Sequence, residues 1–558
     1  MSYKPIIYQL FPRLFTNSCD HCTPNGTIKQ NGSGKMNDIT LSVLKKLKDL
    51  GATHVWYTGV IRHANKTHYK DIPDCNPYIV KGNAGSPYAI TDYYDIDPDI
   101  AVSVKNRMKE FERLVHRTQE AGLKVIIDFV PNHVARQYHS IAKPQGVEDL
   151  GENDNKDLAF STDNNFYYMP GEQFAPSIDL GSGDGFYYEK PAKATGNDCF
   201  HPYPGTGDWY ETVKLNYGID YSTGSRHFSP TPSTWHKMLE IMKYWASKGI
   251  DGFRCDMAHM VPVEFWNWAI PQVKVLNPEI VFIAELYDVG IYNDYIFNGH
   301  FDYLYDKVSL YDTLRAVTTG HASASSITGC WQTVEGIGDH MLNFLENHDE
   351  QRIASPQFAG DAFKALPALI VSATISRAPF MIYQGQELGE PALDAEGFSG
   401  QDGRTTIFDY WSVDTIRRWF NNGKCDTKKL NNQERKLRLF YKKVLRLCNR
   451  EKAIAQGDFY DLMYANQESI NCDKVYAYFR HCGDERLLII ANFNDSDENI
   501  YLLTPQHALD VMGMKQGEFI GENLLTGNTM NVTISPETPI HFTMPGRNAM
   551  IIKLKPNS

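Results

Sequence analysis

Four short segments of this chain each end an apolar, strand-like run with a carboxylate, and they constrain the fold more than any other feature. Their acids, with the segments in parentheses, are Asp128 (125–133), Asp256 (249–256), Glu285 (281–285) and Asp349 (342–349). Any one of these acids could cap a helix or form a turn. In a (β/α)8 barrel, however, the carboxyl ends of the strands meet at one face, where the active site lies. The repeated pattern therefore predicts four acids on one face of such a barrel.

The spacing of the acids fits the repeat of a barrel. A barrel of about 250 residues gives about 31 residues for each strand-and-helix unit. Asp256 and Glu285 are 29 positions apart, Glu285 and Asp349 are 64 apart, and Asp128 and Asp256 are 128 apart. These intervals correspond to one unit, two units, and one unit plus about a hundred extra residues. We therefore place the acids on strands 3, 4, 5 and 7 and predict an inserted domain after strand 3.

The rest of the chain divides into three predicted domains. Residues 1–454 show alternating strand and helix patterns. The exception is a central stretch that is rich in Gly, Pro, Asn and Tyr and lacks helical periodicity. The last hundred residues show short alternating strands, which predict an antiparallel β-sandwich. The predicted domains are a barrel over 1–133 and 233–454, an irregular inserted domain over 134–232, and the sandwich over 455–558. After the insertion, Ser233 or Thr234 is expected to cap the next helix.

Composition and charge exclude several classes of function. The net charge of −12 leaves no basic footprint for nucleic acid or for an anionic membrane surface. The N-terminus shows no apolar core of a signal peptide, and the most apolar long stretch, 365–383, is broken by Pro367, Arg377 and Pro379, so no membrane span is expected. Ten cysteines without a framework pattern are typical of a reducing compartment. We therefore expect a cytoplasmic protein; the sequence indicates no oligomeric state.

Taken in order, the four segments resemble the motifs of the α-amylase family, glycoside hydrolase family thirteen, and the resemblance covers nearly the whole chain. It rests on Ile-Ile-Asp-Phe-Val-Pro-Asn-His, Gly-Phe-Arg-Cys-Asp, Ala-Glu-Leu and Glu-Asn-His-Asp. The resemblance implies a retaining hydrolase of α-1,4-glucosidic bonds in starch, glycogen or maltooligosaccharides, most simply an α-amylase, with no cofactor required for the chemistry. A transglycosylase with the same acids is one alternative, and a non-catalytic glucan-binding protein on the same fold is another.

The resemblance also implies roles for single residues. Asp256 matches the nucleophile, Glu285 the general acid/base, and Asp349 the third carboxylate, which binds sugar hydroxyls. Arg254 matches the cation that lowers the pKa of Asp256 and keeps it ionised, and we expect it to give the two reacting acids different environments. The further matches are His133 and His348, which hydrogen-bond the sugar, Tyr88, which stacks on it, and Asp128, which supports the site through Arg254.

Four positions bear on a metal ion and on substrate choice. His259 and Met260 stand where starch-hydrolysing members often have Lys-His, so the usual sugar contact from that Lys is absent or replaced. Lys214 stands where many calcium-binding members have Asp, and a cation shares that position poorly with Ca²⁺. Asn132 keeps the position of a calcium ligand. A structural Ca²⁺ held through Asn132 is therefore one expectation, and a site without calcium is the other.

Overall fold

The computed structural model describes residues 4–178 and 185–556. Eight parallel strands close into a barrel in which each strand pairs with the next along the chain. They are β1 (Ile6–Leu10), β2 (His54–Tyr57), β3 (Lys124–Phe129), β4 (Gly252–Cys255), β5 (Val281–Ala284), β6 (Tyr303–Tyr305), β7 (Met341–Phe344) and β8 (Phe380–Tyr383). The predicted (β/α)8 barrel is confirmed. Asp128 lies in β3, and Asp256, Glu285 and Asp349 follow β4, β5 and β7.

Helices pack around the outside of the barrel. The main ones are α1 (Leu41–Leu50), α2 (Arg107–Glu120), α3 (Ser233–Ser247), α4 (Val263–Leu276), α5 (Tyr292–Phe297), α6 (Asp312–Thr318), α7 (Leu366–Thr374) and α8 (Asn432–Arg450). Further helices span Pro12–Phe15, Ile28–Asn31, Ser326–Thr333, Asp414–Phe420, Lys452–Ala455 and Gln506–Met512. Across 4–178 and 185–556, no helix has both the length and the apolarity to cross a membrane.

Alternation along the barrel strands directs the polar side chains of the site inward. In β4, Phe253 and Cys255 contact the core between the barrel and its helices. Arg254 lies between them and therefore points into the barrel. It is paired in register with Asp128 of β3, which points the same way. Apolar residues pack inside the barrel, among them Ile7, Trp56, Ile126, Ile283, Leu342 and Met381.

The segment between β3 and α3 is built from short two-stranded ribbons. They pair His133–Ala135 with Thr212–Lys214, Tyr168–Met169 with Ala192–Lys193, and Ile219–Asp220 with Ser225–Arg226. The predicted inserted domain also includes 179–184, which lie outside the described residues. The predicted side-chain cap of α3 is wrong, because Pro232 is the N-cap residue. The Asn165 amide donates to the hydroxyls of Ser233 and Thr234 instead, which ties the inserted segment to the helix.

The C-terminal region is antiparallel, as predicted. One sheet has the spatial order Asp458–Asp461, Val475–Cys482, Glu485–Asn492, Asn548–Pro556, Gly517–Asn523 and Thr529–Ile534. Glu498–Leu502 and Ile540–Met544 pair as a second sheet. Arg480 joins this region to the barrel, since its buried guanidinium donates to the backbone carbonyls of Ile375, Ala453, Ile454 and Gly457.

Candidate active site

The strand ladder places two of the predicted acids side by side. In the register of β4 and β5, Cys255 lies opposite Ala284, and Asp256 and Glu285 are the next residues of the two chains. The backbone continues the ladder, because the Glu285 N–H donates to the Cys255 carbonyl at 3.0 Å. Paired strands are about 4.8 Å apart. The two carboxylates therefore start from adjacent backbone positions.

A single guanidinium links the acids. The Nη1 atom of Arg254 donates to Asp256 Oδ1 at 2.8 Å and lies 3.4 Å from Asp128 Oδ1. Its Nη2 atom lies 2.9 Å from Glu285 Oε2, and its Nε–H donates to the Tyr305 hydroxyl at 3.1 Å. Arg254 was expected to give the two acids different environments, and it contacts both of them. Its planar fork spans both strands and contacts both carboxylates.

Burial and mutual repulsion govern the charge of the acids. Burial and the neighbouring Glu285 carboxylate raise the pKa of Asp256 well above its usual range, and the Arg254 guanidinium opposes this rise without cancelling it. Arg254 therefore lowers the pKa of Asp256, as expected, but burial and the Glu285 carboxylate outweigh its effect. Carboxylates this close take up protons as a set. The cluster holds a proton at a pH where an isolated aspartate would be ionised.

Asp349 is the most accessible of the three acids. Its side chain is 42% exposed, against 8% for Asp256 and 4% for Glu285. Partial desolvation by the surrounding protein and the nearby Glu285 carboxylate still raise the pKa of Asp349 to about 7. His348 Nε2 lies 3.1 Å from Asp349 Oδ2. Asp349 is therefore the acid that an entering ligand reaches first.

The predicted aromatic and histidine residues contact one another beside the acids. The Tyr88 ring stacks on His348 at 5.2 Å, and its hydroxyl lies 2.5 Å from His348 Nε2 and 3.5 Å from Asp128 Oδ1. His133 is hydrogen-bonded to the backbone of Tyr88. Burial lowers the pKa of His133 to about 3 and that of His348 well below its usual range. Both imidazoles are neutral, so each can donate and accept hydrogen bonds with hydroxyl groups.

Three residues that the sequence did not single out hold His348 and Glu285 in place. Gln9 of β1 lies 2.8 Å from His348 Nδ1. The Tyr287 hydroxyl donates to Glu285 Oε1 at 2.5 Å, and the Met257 backbone N–H donates to Glu285 Oε2 at 2.8 Å. Tyr287 could have been found, because it lies two positions after Glu285. The contribution of Met257 is a backbone group, which its residue type does not reveal.

The Asn132 position does not fit a bound calcium ion. Asn132 Oδ1 accepts a hydrogen bond from Lys214 Nζ at 2.8 Å, and the Asn132 amide donates to the Gly196 carbonyl at 2.7 Å. Lys214 Nζ also lies 2.5 Å from Asp198 Oδ1. An ammonium at this position repels a divalent cation. In the part of the chain that the structure describes, no three His, Cys, Asp or Glu side chains are arranged to hold a metal.

A cavity of about 890 Å³ is lined by Met257, whose backbone N–H donates to Glu285. The inserted segment contributes Trp209, and the loop after β4 contributes Met257, His259 and Met260. His259 and Met260, the two positions that depart from the starch-hydrolysing pattern, therefore both line it. Aromatic and polar groups together suit a neutral ligand with many hydroxyls.

Comparison with known protein families identifies the barrel. Residues 9–277 match the family described as alpha amylase, catalytic domain. Over these residues the chain belongs to the alpha-amylase family. The matched residues include Asp128, Arg254 and Asp256, whereas Glu285 and Asp349 follow them along the chain.

The chain is distant from its characterised relatives. It is 22% identical to neopullulanase 2 of Thermoactinomyces vulgaris over 521 residues, which cover 90% of this chain and 72% of the relative. It is 21% identical to oligo-1,6-glucosidase of Bacillus cereus over 642 aligned positions, covering 99% of each. The solved structure of an alpha-amylase from Geobacillus thermoleovorans, complexed with acarbose, is 17% identical, covers 100% of both chains and has a TM-score of 0.64. At that identity it shows the shared fold.

Proposed function

We propose that the chain is a retaining glycoside hydrolase that cleaves α-1,4-glucosidic bonds in starch, glycogen or maltooligosaccharides. The observation that carries the proposal is the pair Asp256 and Glu285, which lie on adjacent strands and share Arg254. Retaining enzymes hold their two carboxyl groups about 5 to 5.5 Å apart, whereas inverting enzymes separate them by about 6.5 to 9.5 Å. Adjacent strands, about 4.8 Å apart, support the shorter separation.

In the first half of the proposed reaction, Asp256 attacks the anomeric carbon while Glu285 donates its proton to the glycosidic oxygen. The bond to the leaving sugar breaks, and a covalent bond to Asp256 Oδ forms. The direct hydrogen bond from Arg254 Nη1, at 2.8 Å, stabilises the ionised form of Asp256. Glu285 is the proton donor of the pair in this step.

In the second half, ionised Glu285 takes a proton from a water molecule, and the resulting hydroxide oxygen displaces Asp256 from the anomeric carbon. Configuration at that carbon is retained after the two inversions. The neutral imidazoles of His133 and His348 hydrogen-bond the sugar hydroxyls beside the scissile bond, and the exposed Asp349 binds a further pair. Tyr88 stacks on the sugar ring in this arrangement.

Substitution of Asp256 by Asn tests the assignment of the nucleophile. We expect kcat on maltoheptaose to fall by roughly 10⁴-fold or more, with an unchanged circular dichroism spectrum. Asp288→Asn is the matched control, because Asp288 lies on the loop after β5 and its carboxylate caps Gly290. Turnover by D256N at the wild-type rate would overturn the assignment. Glucan binding by the wild-type protein without any turnover would favour the non-catalytic alternative.

Transglycosylation is the second candidate function, and the cavity lined by Met257 and His259 supports it. A sugar held there could intercept the glycosyl-enzyme in place of water, and about 890 Å³ is ample for such an acceptor. Characterised relatives named neopullulanase and oligo-1,6-glucosidase extend the question to the bond cleaved. Incubation with maltoheptaose, soluble starch, pullulan and cyclodextrin separates these activities. Maltose and glucose alone indicate hydrolysis, products longer than maltoheptaose indicate transfer, and cleavage of pullulan alone would overturn the α-1,4 preference.

A further inference from the structure

Two donors from different loops hold the carboxylate of Glu285, one on each oxygen. The Tyr287 hydroxyl donates to Oε1 at 2.5 Å, and the Met257 N–H donates to Oε2 at 2.8 Å. The loop after β4 is also fixed to Glu285 by its backbone, because the Ala258 N–H donates to the Glu285 carbonyl at 3.0 Å. The general acid/base is therefore oriented by its neighbours before a ligand binds.

Met257 adopts a backbone conformation that is unfavourable for its residue type. Its φ is 43° and its ψ is 46°, in the left-handed region that non-glycine residues seldom occupy. This conformation directs its N–H at Glu285 Oε2. Strain of this kind persists where surrounding contacts enforce it, and it is concentrated at functional sites.

Tyr287 is placed to act as a permanent donor. Its ring packs against the apolar residues inside the barrel. The centroids of the Tyr287 and His259 rings lie 6.1 Å apart in an edge-to-face arrangement. Burial and the adjacent Glu285 carboxylate raise the pKa of Tyr287 well above its usual range. The hydroxyl therefore keeps its proton throughout the working pH range and donates to Glu285.

Resting on the proposed function, we propose that Tyr287 is a positioning residue that stabilises the ionised form of Glu285 for the second half of the reaction. With donors on both oxygens, Glu285 is held as an acceptor, which is the state that removes a proton from water. In the first half, Oε1 of Glu285 carries the proton that passes to the leaving oxygen, and the Tyr287 hydroxyl does not donate to it at that stage. Loss of the hydroxyl therefore slows hydrolysis of the glycosyl-enzyme more than its formation.

Other charged and titratable groups also face Glu285, and they set the background for this effect. They come from β3, β4, β6 and the loops after β4 and β7, and they are Asp128, Arg254, Asp256, His259, Tyr305 and Asp349. Since Tyr287→Phe leaves all the others in place, its effect on the pH profile isolates the Tyr287 hydroxyl.

The test uses Tyr287→Phe with an aryl maltoside whose leaving group needs little protonation, so that hydrolysis of the glycosyl-enzyme limits kcat. We expect kcat to fall roughly 10- to 100-fold, KM to fall with it, and kcat/KM to change much less. The acid limb of kcat should move to higher pH, because the variant lacks the Tyr287 hydroxyl that donates to the Glu285 carboxylate. Tyr501→Phe is the control, since Tyr501 lies on the C-terminal sheets, is 48% exposed and stacks on His541.

Two further variants keep the result interpretable. Tyr287→Gln retains a donor and should recover part of the lost kcat and of the pH shift. Wild-type kcat, KM and acid limb in Tyr287→Phe would overturn the inference, and so would equal losses in both variants with an unmoved acid limb, which would indicate a packing role. Glu285→Gln separates this result from the proposed function: activity in that variant would refute the proposed function itself, whereas its inactivity beside an unaffected Tyr287→Phe would refute only the role of Tyr287.

Discussion

At the scale of single residues, the site holds more negative charge than its cation can balance. Arg254 is 1% exposed and contacts Asp128, Asp256 and Glu285 together. Desolvation of several carboxylates around one guanidinium favours proton uptake. The site is therefore tuned by repulsion among its acids as much as by attraction to Arg254.

The pH dependence of activity should show this repulsion. In the proposed mechanism Asp256 must be ionised to attack, and its pKa is raised well above the usual range by burial and by Glu285. Activity should therefore be lost as pH falls through that raised pKa. We expect the acid limb of kcat/KM to lie well above pH 4, near which an ordinary aspartate would place it. A limb at or below pH 4 would show that Arg254 outweighs burial and repulsion.

The same repulsion should make the Asp256→Asn variant more stable than the wild-type protein. A carboxyl group whose pKa is raised on folding binds more protons in the folded state, so its ionisation at higher pH destabilises the fold. We expect Asp256→Asn to raise the free energy of unfolding by about 1 kcal/mol at pH 8, with a smaller gain at pH 5. Thermal unfolding of the wild type and D256N across that range measures the difference. A D256N protein less stable at pH 8 would contradict this account.

At the scale of elements, the strands of the barrel were predictable and the inserted segment was not. Buried strands such as β3 and β5 leave continuous apolar runs, and an acid marks the point where each reaches the loops. Inside 134–232 the described strands are two or three residues long, too short to show an alternating pattern. The second contact of Arg254 also escaped prediction, because a guanidinium reaches across strands that are far apart in sequence.

The ribbon of His133–Ala135 and Thr212–Lys214 is held together by one buried side chain, that of Lys214. Lys214 is 2% exposed and joins Asn132 to Asp198 across this ribbon. Lys214→Met should cost about 1–3 kcal/mol, because it leaves the buried Asn132 oxygen without its donor. Urea unfolding measures the loss, with the surface variant Lys243→Met as control.

Chelation provides a test of the metal question at the same ribbon. We propose that Lys214 supplies the positive charge that Ca²⁺ supplies at this position in calcium-binding members. The melting temperature of the protein should then be the same in EDTA as in buffer that contains Ca²⁺. A melting temperature that falls on chelation and recovers with Ca²⁺ would contradict the proposal.

At the scale of the whole molecule, the barrel and the C-terminal sheets share one apolar core. Buried residues of both regions belong to a single contiguous cluster, which extends from Ile6 of β1 to Ile552 of the last strand. Arg480, 2% exposed, crosses the boundary with hydrogen bonds to four backbone carbonyls. A shared core of this kind couples the unfolding of the two regions.

Calorimetry should therefore record one unfolding transition for the barrel and the C-terminal region. Arg480→Met keeps much of the side-chain volume but leaves four buried carbonyls without their donor, so we expect a loss of about 3 kcal/mol or more. The transition should move to lower temperature and broaden or split. Two well-separated transitions in the wild-type protein would show that the shared core does not couple the regions.

The register of β4 against β5 has a consequence for how this chain can change over evolutionary time. Asp256 and Glu285 each follow directly on a residue of one hydrogen-bonded ladder, Cys255 opposite Ala284, so the gap between them is inherited with the barrel itself. Mutations in the loops and the inserted segment can change which glucans descendants of this chain prefer as substrates. The stereochemical outcome is protected from that drift, since a lineage that shifts the ladder loses its fold before it gains another mechanism.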